Sequence, residues 1–158
     1  MSLKTGKKAP DFTLPSTSGK NFTLSQDCKD KACIIYFYPK DFTKVCTAEA
    51  CDFRDQFGAL RDLDVLVIGI SRDDISTHLK FQKEYNLPFE LLSDEKGNVC
   101  NAYDALIPLI RVPKRITYFL DKDHIVRGAF SDMFESKAHV EEMMKIIKSK
   151  KSNNLSNT

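Results

Sequence analysis

The sequence predicts an α/β layer sandwich. Two short runs, Ala32–Tyr38 and Val65–Ile70, are continuously apolar and rich in β-formers, as strands buried on both faces are. The segment between them repeats apolar residues at helical spacing. Strands and helices then alternate until a closing hairpin and a last helix. A chain of 158 residues, 42% hydrophobic and 29% charged, is long enough for one domain with a real core and too polar for a membrane class.

Taken in order, residues 1–31 are rich in Gly, Pro, Ser, Thr and Lys. Phe12, Leu14, Phe22 and Leu24 are spaced as extended pieces that pair around a turn at Ser18-Gly19. The strand from Cys33 ends at Pro39. From Thr43, the expected N-cap, to Leu63 the pattern is helical, with Ala50, Phe53, Phe57 and Leu60 on one stripe. Asp64–Ser71 reads as a second buried strand, and Asp74–Tyr85 as a helix that stops before Leu87-Pro88. A short strand at Phe89–Leu92 and a short helix at Glu95–Tyr103 follow. Ile116–Leu120 is a third clear strand. Asp121–His124 is turn chemistry, and Ile125–Phe130 returns as its antiparallel partner. Ser136–Ile147 is a final amphipathic helix, with Val140, Met143, Met144 and Ile147 as its stripe. Residues 1–148 form the expected domain, and the polar tail 149–158 is expected to be disordered.

Charge and composition narrow the function classes. With 24 basic and 22 acidic residues, no general affinity for nucleic acid is indicated. The basic run Lys145–Lys151 reads as a solvated helix end. No apolar stretch is long enough to span a bilayer, and the lysines of Met1–Asp11 have no apolar core behind them, so a cytoplasmic location is the expectation. His78, His124 and His139 fall on predicted surface elements, at spacings that fit no zinc pattern.

Five cysteines at irregular spacing argue against a secreted disulfide scaffold and pose the question of which thiols react. Cys33 lies in a buried strand and reads as core; Cys28 reads as an incidental loop residue. Cys100 lies near a predicted helix start. Cys46 stands out, because it falls in the first turn of the helix after the first buried strand. There the N–H groups lack intrahelical partners and the helix dipole is positive, and both favour a thiolate. Thr43 lies one turn before it with a hydroxyl, Lys44 adds positive charge, and Pro39 walls the site without an N–H of its own.

Cys51 follows five residues later. On an intact helix that offset means about 7.5 Å of rise and a rotation of roughly 140°. The Cα atoms then lie about 8.5–9 Å apart, beyond the ~7 Å limit for a disulfide. A bond between the two requires the first turns to unwind. The pair is also not a C-x-x-C dithiol, and it suits a sulfenic acid that forms first and condenses later. The alternative for Cys51 is packing beside the apolar stripe; an external thiol or Cys100 would then take its place.

The run Tyr36-Phe37-Tyr38-Pro39-Lys40-Asp41-Phe42-Thr43-Lys44-Val45-Cys46-Thr47-Ala48-Glu49-Ala50-Cys51-Asp52-Phe53-Arg54-Asp55 resembles the active-site segment of peroxiredoxins, in particular the bacterioferritin comigratory protein (peroxiredoxin Q) subfamily. Ala9–Pro15 is similar to the start of that family, and Arg115–Asp121 to its arginine-bearing strand. The resemblance covers roughly residues 4–148. It implies a thioredoxin-like fold, a central mixed β-sheet flanked by helices. It implies reduction of hydrogen peroxide and organic hydroperoxides, with no metal, haem or flavin. Cys46 would be peroxidatic and Cys51 resolving, with Pro39, Thr43 and Arg115 completing the site and Glu49 orienting the arginine. Regeneration by a thioredoxin-type dithiol, in a monomer, is implied as well. One departure is that Lys44-Val45 stands where the family has Pro-Gly; a β-branched Val45 would be strained if that position needs φ > 0. Two competing functions share the fold: a disulfide reductase, disfavoured by the lack of C-x-x-C, and a redox relay that passes oxidation to another protein.

Overall fold

The computed structural model describes residues 2–131 and 141–149. Its centre is β3 (Ala32–Phe37), and the unbroken apolar run there has a plain cause. Ile34, Tyr36 and the following Tyr38 point to one face of the sheet, while Cys33, Ile35 and Phe37 point to the other, and all six are buried. The five-stranded sheet runs β5-β4-β3-β6-β7. β4 (Val65–Ser71) is parallel to β3 and β5 (Glu90–Ser93) parallel to β4, whereas β6 (Ile116–Leu120) and β7 (Val126–Ser131) complete it antiparallel.

Two cores result. α2 (Lys44–Asp62) and α3 (Ile75–Glu84) cover the Tyr36 face, burying Ala50, Phe53, Leu60 and Phe81. Residues 141–149 form a helix, α5, whose Met143 and Ile147 join the same core. On the other face an N-terminal hairpin, β1 (Thr13–Pro15) with β2 (Asn21–Thr23), pairs Leu14 with Phe22 around Gly19, whose φ of 89° makes the turn. Short helices α1 (Leu24–Asp27) and α4 (Asn98–Ala102) close that side.

Most boundaries agree with the sequence reading to within a residue or two. The short helix is the exception: it begins at Asn98 rather than Glu95, because Gly97 adopts φ 78°, a left-handed conformation that no helix interior accommodates. The expected helix start at Ser136–Val140, together with His139 and residues 150–158 of the tail, lies outside the described residues. No helix among the described residues is long and apolar enough to cross a membrane.

Two expectations are overturned. His78 and His124 are not on the surface; they are 0% and 8% exposed. The polar pattern of α3 gave no sign that a histidine turns inward, which happens because both ring nitrogens of His78 find buried partners. Cys28 is likewise not a loop bystander. It caps α1, is fully buried, and lies against Cys33.

Gly69 in β4 sits opposite Tyr36, and a Cβ there would stand 2.7 Å from the Tyr36 ring and 2.9 Å from Leu91. Tyr36 cannot swing away, since its ring stacks on Phe53 and Tyr38 at centroid distances of 4.7 and 5.3 Å. Gly69→Ala is therefore expected to destabilise by roughly 1–3 kcal/mol through overpacking. Urea denaturation checks this, and an unchanged midpoint would contradict the packing described.

Candidate active site

The C-terminal end of β3 delivers the site. The Tyr38 amide still donates to the Ile70 carbonyl at 3.2 Å, so the chain remains in the sheet through that residue. Pro39 then ends the strand, and a short loop leads into α2. Phe42 in this loop has φ 66°, a left-handed conformation that costs a non-glycine residue about 1–2 kcal/mol. Its ring packs against Phe81 and Tyr85, with centroids at 5.0 and 6.4 Å. The strain considered for Val45 does not arise, because Lys44 and Val45 are already helical and neither has positive φ.

Cys46 is the third residue of α2. The first bond of the helical ladder runs from the Thr47 amide to the Thr43 carbonyl, so the amides of residues 44–46 precede it. The sulfur is buried, with 1% of the residue exposed, and receives a hydrogen bond from Arg115 Nη2 at 3.0 Å. The same guanidinium donates through Nη1 to Glu49 Oε1 at 2.8 Å. Glu49 lies one turn along α2, so Cys46 and Glu49 share a face. Arg115 immediately precedes β6, and the pairing of Ile116 with Phe37 sets it beside the end of β3. Two basic residues close by in the chain go elsewhere: Arg111 is exposed, with Nη2 on the Lys96 carbonyl, and Lys114 is half-buried.

One cation here faces two groups able to carry negative charge. Burial pushes the Glu49 carboxyl up from 4.5 to about 8, although Arg115 opposes the rise. Burial works against the Arg115 charge too, but Glu49 and Cys46 more than offset it and the guanidinium holds its proton more firmly than usual. Near neutrality Glu49 therefore tends to keep its proton, and the guanidinium is left to the sulfur. A charge-assisted hydrogen bond of this kind contributes roughly 1.5–3 kcal/mol, against about 0.3–1 kcal/mol for a helix terminus. Arg115 is thus the stronger of the two influences on the sulfur.

The remaining expected residues are partly brought together. Thr43 holds the N-cap position, but its hydroxyl makes no capping bond. It donates to the Lys40 carbonyl at 2.8 Å, because the extended loop turns it back onto its own chain. That leaves the Thr43 oxygen free to act as an acceptor. Pro39 is half-buried at the strand end. Cys51 remains inside the intact helix as a free thiol, partly exposed, and burial pushes it up so that it stays protonated. Cys100 is buried in α4; burial and then Asp94 raise its thiol strongly, which makes it a poor nucleophile. Cys28 and Cys33 are free thiols that share a hydrogen bond, which lowers the Cys28 thiol and raises that of Cys33.

The sequence reading missed a cluster of polar groups behind the loop. Tyr38, Asp41, Asp73 and His78 interlock there, joined by hydrogen bonds of 2.6–2.9 Å. Asp41 belongs to the quoted active-site segment, but local pattern assigns it no partner, since His78 lies 37 residues away.

Comparison with known proteins places the chain in a family. The AhpC/TSA family matches residues 5–129. A putative peroxiredoxin bcp of Coxiella burnetii is 40% identical over 150 residues, spanning 91% of this chain and 98% of that protein. A chloroplastic peroxiredoxin Q of Oryza sativa subsp. japonica is 40% identical over 145 residues, spanning 91% of this chain and 66% of its own length. Among solved structures, peroxidoxin BcpB of Mycobacterium tuberculosis superposes with a TM-score of 0.87 at 31% identity, covering 93% of this chain and 97% of that one. The Xanthomonas campestris bacterioferritin comigratory protein gives a TM-score of 0.81 at 25% identity, with 87% and 90% covered. The fold is thioredoxin-like, and with these relatives the class is defined: a thiol-dependent peroxidase, an oxidoreductase. Within that class the chain belongs to the AhpC/TSA family, among the peroxiredoxins of the bcp and peroxiredoxin Q type.

The displaced titration of Glu49 has a measurable consequence. Between pH 4.5 and about 8 the folded state binds more protons at this carboxyl than the unfolded chain does. Its contribution to stability is therefore present in acid and is lost as pH rises through that window. Glu49→Gln removes this titration, so the stability of the variant relative to wild type is expected to improve from pH 5 to pH 8. Thermal or urea unfolding across that range is the measurement, and a pH-independent difference would refute it.

Proposed function

We propose that Cys46 is the peroxide-attacking thiolate and Cys51 the thiol that resolves it. The observation that carries this reading is the Arg115 bond to the Cys46 sulfur, since among the described residues no other thiol has a guanidinium hydrogen-bonded to it. The thiolate attacks the terminal oxygen of a hydroperoxide, forming an S–O bond as the O–O bond breaks. The leaving alkoxide or hydroxide takes a proton and departs as alcohol or water. Arg115 meets the charge developing on the leaving oxygen, and Thr43, whose own hydrogen is given to Lys40, accepts the hydrogen of the incoming hydroperoxide. Pro39 lines the loop without offering a competing donor, and Glu49 holds the second arm of the guanidinium.

The Cys51 thiol then attacks the sulfenic sulfur, expelling water and leaving a Cys46–Cys51 disulfide. Both residues lie in the continuous helix Lys44–Asp62, so closure requires the start of α2 to unwind. A thioredoxin-type dithiol then exchanges with the disulfide, returning two thiols and leaving oxidised. Hydrogen peroxide and alkyl hydroperoxides are the substrates in this reading; the similar Xanthomonas protein has alkyl peroxide reduction activity. A reducing compartment, the cytoplasm, and a monomeric enzyme complete it. Free thiols at all five cysteines suit such a setting.

Four measurements test the assignment. Cys46→Ser is expected to abolish peroxide consumption, and a fully active variant would overturn it. After one equivalent of peroxide, wild type should become about 2 Da lighter and Cys51→Ser about 16 Da heavier, as a disulfide and a sulfenic acid require. A wild-type adduct that is only heavier, never lighter, would remove Cys51 from the cycle. Amide exchange over residues 44–52 should accelerate on oxidation, and unchanged exchange would contradict the unwinding. Arg115→Met is expected to lower kcat/KM for peroxide by about 10²–10³.

A further inference from the structure

We propose that His78 is a positioning residue for the thiol site: through the Asp41 carboxylate it anchors the loop that delivers Cys46. This rests on the reading of Cys46 above only for its activity readout.

The anchor is built from buried groups. Asp41 is 3% exposed and lies five residues before Cys46. Its Oδ1 accepts from the Tyr38 hydroxyl at 2.6 Å, and its Oδ2 lies 2.6 Å from His78 Nδ1. Its amide donates to Asp73 Oδ2 at 2.9 Å. Ser71 donates to the same Asp73 oxygen, and Ser93 donates to the Asp73 carbonyl, so the ends of β4 and β5 support the cluster. On its other side the His78 ring reaches the Leu92 carbonyl through Nε2 at 2.9 Å.

These contacts fix the proton inventory. A carbonyl only accepts, so Nε2 carries a hydrogen. The short contact between Nδ1 and Oδ2 needs one more proton between them. Histidine and aspartate thus hold two protons together, forming a neutral buried unit whose members are all bonded, the arrangement a low-dielectric interior tolerates. Asp41, Asp73 and His78 are the one group among the described residues grouped closely enough to suggest a cation site. With both ring nitrogens already engaged, no lone pair of the imidazole is left for a metal, and the cluster is an anchor instead.

α3 holds the loop at two points. His78 and Phe81 lie three residues apart, and Tyr85 follows four later, so they line one stripe. His78 grips Asp41, while Phe81 and Tyr85 take the ring of Phe42. Phe42 is the loop residue with φ 66°, a conformation that persists only where its surroundings over-determine it. Without the anchor the loop is free to relax, and the entrance of α2, with the Cys46 sulfur, moves away from Arg115.

Two substitutions separate anchoring from simple packing. The amide nitrogen of Asn falls near the place of Nδ1 and keeps the Asp41 bond; that of Gln falls near Nε2 and keeps the Leu92 bond. His78→Asn is expected to keep kcat/KM for hydrogen peroxide within about threefold of wild type, and His78→Gln to lose about tenfold or more. Exchange of the Asp41 amide, which donates to Asp73, and of the first bonded amides of α2, residues 47–50, should accelerate about tenfold in the reduced Gln variant only. Equal activity and exchange in the two variants, or losses that follow Tm in both, would overturn the proposal. If neither variant folds, Tyr38→Phe removes one bond to Asp41 and preserves the ring. Faster exchange at Asp41 and residues 47–50 supports the anchor there, and unchanged exchange overturns it. Exchange needs no peroxide, so a wild-type protein that consumed none would sink the catalytic reading and still leave the anchor tested.

Discussion

A single guanidinium shared between a buried sulfur and a buried carboxyl is the contact on which this molecule turns. Arg115 joins the approach to β6 to the first two turns of α2, bonding Cys46 and Glu49 with separate arms. Water is excluded, so the charge is not screened, and two full anions against one cation would be costly. Burial of Glu49 settles that competition near neutral pH by favouring its protonated form. The architecture serves this contact. The sheet places the end of β3 beside the start of β6, and α2 lies across the sheet with its entrance at that point.

In the proposed cycle the same site is rigid and also comes apart. Rigidity comes from behind, where the buried Tyr38–Asp41–His78 unit and the Phe42 ring fasten the loop to α3. Release concerns the other side, since Cys46 and Cys51 share one helix and approach bonding distance only when it opens. The start of α2 suits local opening. Its exposed residues Lys44 and Ala48 contribute nothing to the core, and the Thr43 hydroxyl is turned to Lys40 rather than capping the helix. Anchored loop and releasable helix meet at Thr43, so the two demands fall on different residues.

The cysteines illustrate how environment sorts one chemical group into different roles. Cys100 and Cys33 are fully buried, and their thiols are held protonated by burial, by Asp94 in the first case and foremost by Cys28 in the second. Cys51 is protonated and half-accessible, which suits a thiol that acts second. Among the described residues, Cys46 alone has a guanidinium hydrogen-bonded to its sulfur. Number and spacing could not have made this separation.

By itself the sequence determined the elements and their order. Burial on both faces leaves an unbroken β-prone run, burial on one stripe leaves helical periodicity, and both are local signals. It also determined that Cys46 stands at a helix entrance, because Pro39 and the onset of the Ala50–Phe53 stripe bracket that start. The family resemblance, not periodicity, pointed to Arg115 over Arg111 and Lys114. Tertiary structure decided the rest: that Arg115 reaches Cys46 across 69 residues, that Thr43 bonds to Lys40, and that His78 turns inward to Asp41. Polar partnerships form between strand ends and helices far apart in the chain. No repeat in the sequence encodes them, since a hydrogen bond depends on where two atoms lie and a hydrophobic pattern records only which side of an element is dry.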